Sequence, residues 1–221
     1  MRRSILKIVI FSDLHSNIYA LKNILNKEND ADKFISLGDN IGYAPYNNEC
    51  LNMLKENNIK SLLGNHEEYF LRGYPSLNCT QNAKDFFETS YNLYDKKDNS
   101  YINNFDKQDT YLETNFVHTV DDKYLYPNSE INMGSITQNT FIGHSHIQFI
   151  KYQNNKFLCN VGSLGQNRLN MSIGQYVIWY PEKNIIVPST IDTNVDKLMN
   201  DMKIYHYDKS LIDYYKDRVY T

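Results

Sequence analysis

Histidine and acidic side chains recur in this sequence directly after short apolar runs. The stretch FIGHSHIQFI (141–150) carries His144 and His146 inside a run that could form a buried strand without any polar group. Five of the six histidines occur in such positions, together with two aspartates and one asparagine. A single histidine of this kind is usually structural. A joint occurrence of this size is hard to obtain from scattered core residues, so the pattern indicates a binding or catalytic site.

The residue types in these motifs are those of a metal site. The residues are Asp13 and His15 in SDLHSN, Asp39 in LGDN, Asn65 and His66 in GNHEE, His118 in NFVHT, and His144 and His146 in GHSH. Two aspartates, one asparagine and four histidines offer about seven nitrogen and oxygen ligands, which is too many for one tetrahedral ion. They suit two cations that share a carboxylate. Imidazole-rich ligation without thiolate favours Mn, Fe, Zn, Ni or Co over Mg or Ca.

A pair of such cations predicts a particular reaction. Two metal ions about 3.5–4 Å apart acidify a water molecule between them, neutralise phosphate oxygens and stabilise in-line displacement at phosphorus. An imidazole nearby is well suited to proton transfer at neutral pH. The residues therefore predict hydrolysis of a phosphate ester by hydroxide held between two metal ions.

The first half of the chain alternates between apolar runs and helical periodicity. Apolar runs predict strands at 5–12, 33–38 and 59–64, and a 3.6-residue period predicts helices at 17–29 and 47–58. This alternation predicts a parallel sheet, and open sheets of this type place their sites where strands end. Gly38, Gly64 and Gly143 precede ligand-type residues, where a missing side chain lets the backbone turn and bring ligands close. Asn17 is a plausible N-cap of the first helix.

The second half predicts helices at about 79–107 and then a series of short strands. These strands are expected at 113–118, 138–143, 147–152, 156–161, 175–181 and 184–188, with a hairpin turn at QNNK (153–156). The polar segment 193–219 is expected to be helical. We expect an α/β fold of two sheets packed face to face with helices outside. Residues 1–221 would form one domain, with 79–107 and 193–219 as peripheral parts.

Composition excludes several classes of protein. At 221 residues with 41% hydrophobic and 22% charged residues, the chain is that of a globular domain without a bilayer-spanning run. Cys50, Cys79 and Cys159 are odd in number and far apart, which predicts reduced thiols in a cytoplasmic protein. A net charge of −3 disfavours extended nucleic-acid binding. The oligomeric state is left open.

In composition and order, the motifs resemble those of the calcineurin-like metallophosphoesterases. That superfamily carries DxH, GDxx, GNH(D/E), H and GHxH in the order found here. LGDNIGYAPYNNEC (37–50) and NVGSLGQNR (160–168) are also similar to the LGDxVGYGPxPNEC and NPGSVGQPR segments of one bacterial phosphoesterase branch. The resemblance covers about residues 5–180. It implies a four-layer α-β-β-α sandwich of two mixed sheets, the metallophosphoesterase fold.

The resemblance also implies roles for the motif residues. It assigns Asp13, His15 and His146 to a first metal ion, Asn65, His118 and His144 to a second, and Asp39 as a bridge between the two. His66 would not bind metal but would contact a phosphoryl oxygen and give a proton to the leaving group. Mn is the ion that such sites often take up.

The chain departs from the superfamily pattern without losing a ligand. Thr119 follows His118 where a glycine or another small residue is usual, and Val161 stands where the branch commonly has proline. Asp121 and Asp122 would add negative charge near the rim of the site, which could disfavour highly anionic substrates.

Substrate contacts are predicted less specifically. Tyr43 and Tyr46 could stack on a base or aromatic leaving group, although packing of their loop is the commoner role. Arg168 could bind a substrate phosphate or lie on the surface, and Asn40 is a further candidate. A stripe at helical spacing, expected to face the core rather than form a lid, consists of Phe86, Phe87, Tyr91 and Tyr94.

The function predicted from the sequence is hydrolysis of a phosphodiester or phosphomonoester, including nucleotide-like esters, without a covalent enzyme intermediate. A phosphatase acting on nucleotides or phosphoproteins is an alternative that the motifs do not separate, because surrounding loops choose the substrate. A noncatalytic interaction module on the same fold is a second alternative, and it predicts loss of a ligand or of the proton donor. A nuclease would need a basic groove.

Overall fold

A computed structural model describes residues 5–219 of the protein. The ends of the predicted single domain, 1–4 and 220–221, lie outside this range, and the domain assignment stays a prediction. The strands are β1 (Ile8–Phe11), β2 (Lys33–Ser36), β3 (Lys60–Ser61), β4 (Gln108–Tyr111), β5 (Thr114–Val117), β6 (Asn139–Ile142), β7 (Phe149–Gln153), β8 (Lys156–Asn160), β9 (Ile173–Tyr180) and β10 (Ile185–Asp192). The α-helices are α1 (Ile18–Lys27), α2 (Asn47–Glu56), α3 (Asn65–Arg72), α4 (Gln81–Asn92), α5 (Asn99–Ile102), α6 (Val195–Ile204) and α7 (Lys209–Lys216).

The strands form two mixed five-stranded sheets. The first has the order β10-β9-β1-β2-β3, and the second has the order β4-β5-β6-β8-β7. In the first sheet, β1, β2 and β3 are parallel, as predicted, while β9 runs antiparallel to β1. In the second, β5, β6 and β8 are parallel and each edge strand is antiparallel to its neighbour. The α/β fold of two mixed sheets with flanking helices is confirmed.

Strand β1 is buried on both faces, which explains its continuous apolar sequence. Ile8 and Ile10 point into the layer between the two sheets, where they meet residues such as Phe141 of β6. Val9 and Phe11 point to the opposite face and pack in the cluster that contains the apolar stripe of α1. This alternation is the two-residue period of a strand, and it fixes the sheet between a second sheet and a helical layer.

Helix α1 begins where the sequence predicts it. The side chain of Asn17 accepts a hydrogen bond from the backbone N–H of Ala20, so it is the N-cap that the sequence indicates. The hairpin between β7 and β8 is also confirmed, with Asn154 and Asn155 both at positive φ in its turn. Among the described residues, no helix is long and apolar enough to cross a membrane.

The aromatic stripe of α4 faces the core, as expected. Phe86 packs against α6 and α7, and Phe87 packs against Phe70 of α3. Tyr94 is 7% exposed, and Tyr91 packs on the same cluster as Phe87. These contacts make the stripe a part of the core rather than a lid.

Candidate metal centre

The predicted ligands come together at the carboxyl ends of strands from both sheets. Asp13 and His15 follow β1, Asp39 follows β2, and Asn65 opens α3 after β3. From the second sheet, His118 follows β5, and His144 and His146 follow β6. Two groups of side chains close enough to hold one ion each are formed by Asp13, His15 and His146 and by Asp39, His118 and His144.

In the first group, the two imidazoles present nitrogen atoms to each other. The Nε2 atoms of His15 and His146 lie 3.1 Å apart. The Nδ1 atoms lie on the far sides of the rings, 2.6 Å from the Gln166 carbonyl oxygen for His146 and 3.3 Å from the Ile41 carbonyl oxygen for His15. Asp13 Oδ1 lies 3.3 Å from His146 Nε2.

The second group repeats this arrangement. His118 Nδ1 lies 3.0 Å from the Leu37 carbonyl oxygen. Its Nε2 lies 3.2 Å from His144 Nδ1, 3.2 Å from Asn65 Oδ1 and 3.2 Å from Asp39 Oδ2. Asn65, which the sequence placed in this set, contacts the group through His118 Nε2. Asp39 lies within ligand distance of both His118 and His144.

These donor atoms fit divalent cations. A histidine whose Nδ1–H donates to a backbone carbonyl carries a bare lone pair on Nε2, which is the usual tautomer of a metal ligand. Bare lone pairs that face each other at about 3 Å repel unless a proton or a cation lies between them. Asp13 Oδ1 is buried without a hydrogen-bond partner among the described residues. A cation bound by these atoms would satisfy all of them.

Asp39 connects the two groups. Besides its place beside His118, it forms a third group with His15 and His66 in which the ligand atoms all lie within 4.8 Å of one another. A carboxylate has two oxygens and can contact one cation with each. The position of Asp39 is therefore compatible with the bridging role that the resemblance implies.

Sharp backbone turns aim these side chains. Five of the seven predicted ligands adopt positive φ: Asp13 at 53°, His15 at 47°, Asp39 at 54°, His144 at 69° and His146 at 61°. Asp and His tolerate this region better than most residues, and such conformations concentrate at functional sites. The predicted role of the glycines is confirmed at Gly64 and Gly143, because a Cβ there would lie 2.2 Å from Asp39 Oδ1 and 2.0 Å from Ser12 Oγ.

The electrostatics of the site favour positive charge. Burial works against ionisation of Asp13 and Asp39, yet the neighbouring imidazoles hold the pKa of both carboxyl groups below the ordinary value. Burial opposes the charged form of His118, but the Asp39 carboxylate raises its pKa to about 10. Burial and the charge on His118 lower the pKa of His144 to about 4. The ionised carboxylates of Asp13 and Asp39 thus face imidazole rings, of which His118 is protonated and His144 is neutral at pH 7. A bound metal cation can take the place of the proton on His118.

His66 lies beside both groups and faces a cavity. Its backbone N–H donates to Asp39 Oδ1 at 2.8 Å, and its ring packs at 4.7 Å from the His15 ring and 5.0 Å from the Tyr43 ring. Its Nδ1 is buried without a hydrogen-bond partner among the described residues. Gly42, at φ 88°, leaves room for this ring, since a Cβ there would lie 2.5 Å from Nδ1. The His66 ring is therefore held by packing against the rings of His15 and Tyr43, and its Nδ1 makes no hydrogen bond to another described residue.

The cavity next to His66 has a volume of about 660 Å³. Its lining includes Asn65, His66, His118 and His144. Volumes of this size are those of sites that enclose a drug-sized ligand. A ligand in the cavity would therefore reach the candidate metal centre directly.

A comparison with known protein families agrees with this geometry. The family model described as calcineurin-like phosphoesterase matches residues 6–213. The chain belongs to this family. An uncharacterised protein of Methanocaldococcus jannaschii is 30% identical to this phosphoesterase in an alignment of length 207 that covers 78% of this chain and 82% of the relative. The family is metal-dependent and acts on phosphate esters, so the His and Asp groups described above lie where a metal site belongs.

Solved structures share the fold of this phosphoesterase. A metallophosphoesterase from Sphaerobacter thermophilus superposes with a TM-score of 0.80 at 20% identity, covering 98% of this chain and all of the other. A hypothetical protein from Pyrococcus horikoshii superposes with a TM-score of 0.85 at 12% identity, covering 95% of this chain and 97% of the other. At these identities the similarity establishes the fold, which is the one that the sequence motifs imply.

The three candidate substrate contacts of the phosphoesterase lie in different surroundings. Tyr43 lines the cavity and packs between the rings of His66 and Phe86. Arg168 lies over the ring of Tyr124, 5.6 Å from its centroid, and is partly buried. Asn40 is fully buried, and its side chain bonds to Ser36 and Glu67. That placement favours a structural role for Asn40 over the predicted substrate contact.

Glu67 is a residue of the site that sequence reasoning missed. Its fully buried carboxylate accepts hydrogen bonds from the backbone N–H groups of Asp39, Asn40 and Gly64 at 2.9, 2.6 and 3.0 Å. Burial and the nearby Asp39 carboxylate raise its pKa to about 7. It joins the loop after β2 to the start of α3 and so positions two predicted ligands. The available signal was an acidic residue three positions after Gly64, the spacing of a helix cap.

Tyr124 was also missed. Its ring stacks on the imidazole of His144 with centroids 3.9 Å apart, and its other contact is the guanidinium of Arg168. It lies in the irregular segment between β5 and β6, where neither strand nor helix periodicity marks a residue. Asp122, which the sequence placed near the rim, does line the cavity.

Proposed function

We propose that this phosphoesterase hydrolyses phosphodiesters or phosphomonoesters with water and uses two divalent transition-metal ions. The observation that supports this most directly is the pair of adjacent groups, each with two ring nitrogens about 3 Å apart and a buried carboxylate. One such group would suit a single ion. Two groups that share Asp39 as a neighbour suit a dinuclear centre.

We assign the ligands as the sequence motifs imply. Asp13, His15 and His146 would hold one ion, Asn65, His118 and His144 would hold the other, and Asp39 would contact both. Manganese is the proposed metal, and Fe, Zn, Ni or Co have the same preference for imidazole and carboxylate ligands. When bound, such ions supply an acidified water and neutralise phosphate charge.

His66 is the proposed proton donor to the leaving group. It lines the cavity and belongs to neither of the two main metal groups, and its Nδ1, buried beside Gly42, has no hydrogen-bond partner among the described residues. Backbone and ring contacts hold it next to Asp39. An imidazole in this position can transfer a proton to the ester oxygen that departs.

Arg168 is proposed to bind a phosphate oxygen. Its guanidinium lies over the ring of Tyr124 and interacts electrostatically with the more distant Asp13 carboxylate. Within residues 5–219, no carboxylate lies at ion-pair distance from its guanidinium. An arginine that is partly buried without an anion is suited to a phosphate, because its planar group can donate two parallel hydrogen bonds.

The test uses protein stripped of metal with a chelator and reloaded with Mn²⁺. We expect turnover of bis-p-nitrophenyl phosphate or p-nitrophenyl phosphate that depends on Mn²⁺ and is lost in Asp39→Ala. His206→Ala, which changes an exposed histidine outside the site, should match the wild type. Absence of turnover with Mn, Fe, Co, Ni and Zn would overturn the proposal and favour a noncatalytic module. The ratio of the two activities separates diesterase from monoesterase preference.

The predicted cytoplasmic location stays a prediction that rests on cysteine usage. The three cysteines are free in the structure, two of them buried.

A further inference from the structure

The cavity extends well beyond the candidate metal centre. A phosphate bound beside His66 would occupy only part of the 660 Å³, and residues of helix α3 and of the segment that follows it also line the cavity. The outer walls include Tyr69 and Arg72 of α3, Phe87 of α4 and Lys107 before β4. The space is therefore available to the remainder of a substrate, and its walls should select that remainder.

Helix α3 presents one face to this cavity. Asn65, Tyr69 and Arg72 are separated by four and three residues, so they lie on the same side of the helix, and all three line the cavity. At 1.5 Å rise per residue, Arg72 lies about 10 Å from Asn65 along the helix axis. The face carries a proposed metal ligand at its start, an aromatic ring in the middle and a cation at its end.

Arg72 is exposed, and its guanidinium is held in place by contacts with two tyrosines. Its guanidinium lies 4.6 Å from the ring centroid of Tyr69 and 4.5 Å from that of Tyr74. Its Nε donates to the carbonyl oxygen of Tyr74 at 2.8 Å. In the described part of the chain, no carboxylate pairs with it. The terminal nitrogens of a guanidinium stacked in this way keep their hydrogens for an anion.

Other charged residues also line the cavity. Lys107, before β4, forms an ion pair with Glu68 of α3 at 2.8 Å, so these two charges offset each other, and Asp122 contributes a nearby negative charge. Among the described residues that line the cavity, Arg72 is then the cation without a carboxylate partner. An anionic group of the substrate would be directed to the α3 side and away from Asp122.

We propose that α3 selects phosphate esters whose leaving group carries an aromatic ring and, beyond it, a second anionic group. The scissile phosphorus would lie at the metal centre, the ring against Tyr69, and the second anion at Arg72, about 10 Å away along the helix. This inference rests on the proposed hydrolase function and adds a substrate class to it. It refines the expectation from Asp121 and Asp122, because it limits the favoured second charge to one position.

The test uses two rigid substrates that differ in one charge. 4′-Carboxybiphenyl-4-yl phosphate places a carboxylate at the far end of a stiff aromatic leaving group, and 4′-carbamoylbiphenyl-4-yl phosphate replaces it with a neutral amide of similar shape. We expect the wild-type protein with Mn²⁺ to prefer the carboxylate by about tenfold in kcat/KM, the size expected for a charge-assisted contact. The preference should appear mainly in KM.

Variants then assign the preference to Arg72. Arg72→Gln should bring the ratio of the two kcat/KM values to about one, because the carboxylate ester loses its anion contact and the amide ester has none to lose. Arg72→Lys should keep part of the preference, and Lys183→Gln, which removes an exposed charge in the β9–β10 turn, should keep all of it. The phosphonate analogues of the two compounds, measured by calorimetry, should show the same ratio in binding affinity.

The outcomes separate the two proposals. If neither these esters nor the p-nitrophenyl esters are hydrolysed with any metal, the hydrolase function itself is wrong. If p-nitrophenyl phosphate is hydrolysed but neither biphenyl ester is, the hydrolase stands and the substrate class proposed for α3 is overturned. If both esters are hydrolysed equally well by the wild type, or if Arg72→Gln keeps the preference, the hydrolase stands and the role of α3 is overturned.

Discussion

The Nε2 atoms of His15 and His146 lie 3.1 Å apart although 131 positions separate the two residues in the chain. Each ring has its other nitrogen close to a backbone carbonyl oxygen, so a neutral ring cannot donate a proton from the facing nitrogen without losing that hydrogen bond. A fold that holds two lone pairs this close stores a repulsion that a cation removes. This relationship connects the stability of the protein to its metal.

Metal removal should therefore lower the melting temperature. With free Mn²⁺ at about 100 times its dissociation constant, binding to the folded state adds about 3 kcal/mol to the free energy of unfolding. For a chain of this size that corresponds to about 5–10 °C, measurable by differential scanning calorimetry. His206→Ala should show the same shift as the wild type, whereas His146→Ala should show a smaller one. Equal melting temperatures with and without metal would contradict a site built for cations.

The two groups should lose metal separately. His146→Ala removes a ligand from the first group, and His144→Ala removes one from the second. Each should reduce bound metal from about two ions per chain to about one, because the affected ion keeps only three of its four proposed protein ligands and is then lost during gel filtration. Asp39→Ala should reduce both. The measurement is metal content by mass spectrometry after gel filtration, and loss of all metal in each single variant would argue for one site instead.

Replacement of His66 should affect turnover more than metal. His66→Ala is expected to leave bound metal nearly unchanged and to lower kcat by about 10²–10⁴-fold for an alkyl phosphate, whose leaving group needs a proton. The loss should be smaller for p-nitrophenyl phosphate, because p-nitrophenolate departs without one. Steady-state kinetics on both substrates give this comparison. An equal loss on both, or a parallel loss of metal, would exclude the role of proton donor.

Arg168 should contribute to binding of the phosphate group. Arg168→Met is expected to lower kcat/KM by about tenfold or more through loss of a charge-assisted hydrogen bond, with metal content unchanged. Arg168→Lys keeps the charge but not the paired donors, so it should recover only part of the activity. Inorganic phosphate, tested as a competitive inhibitor, should bind more weakly to Arg168→Met. If the inhibition constant does not change, the arginine does not contact phosphate.

The buried strands and the ligands at their ends could be predicted because both leave local signals. In β1, four consecutive apolar residues precede Asp13, and the run has this form because the strand is covered on both faces. Strand β4 was missed, since QDTY is a polar edge strand and has no apolar alternation to detect. The strand predicted at 59–64 is only two residues long in the structure, because the chain turns into α3 to place Asn65.

Contacts between distant segments could not be predicted. The sequence does not predict helix α3, because its first residues belong to the metal-site motif and do not show the apolar periodicity of an amphipathic helix. Arg72 becomes notable only when the stacking rings of Tyr69 and Tyr74 and the absence of a carboxylate are known. The stack of Tyr124 on His144 depends on how an irregular segment folds back. The identity of a ligand is encoded locally, whereas the shape of the cavity around it is not.

Glu67 provides the last prediction, which concerns stability. Its buried carboxylate accepts three backbone N–H groups that come from the loop after β2 and the start of α3. In Glu67→Gln, an NH₂ group replaces one of the two acceptor oxygens. Its N–H groups would then face backbone N–H groups, and the hydrogen bonds on that side would be lost. We expect the free energy of unfolding of the metal-free protein to fall by about 2–3 kcal/mol, measured by urea denaturation.

Glu68→Gln is the matched control. It makes the same chemical change one residue along, where the partner is the exposed Lys107, and surface ion pairs contribute about 0–1 kcal/mol. Because Glu67 positions Asp39 and Asn65, Glu67→Gln should also weaken metal binding by about 10–100-fold, as loss of a residue that orients ligands does elsewhere. If the two variants unfold at the same urea concentration, the three backbone contacts of Glu67 do not hold these loops together, and the positioning of Asp39 must come from the sheet alone.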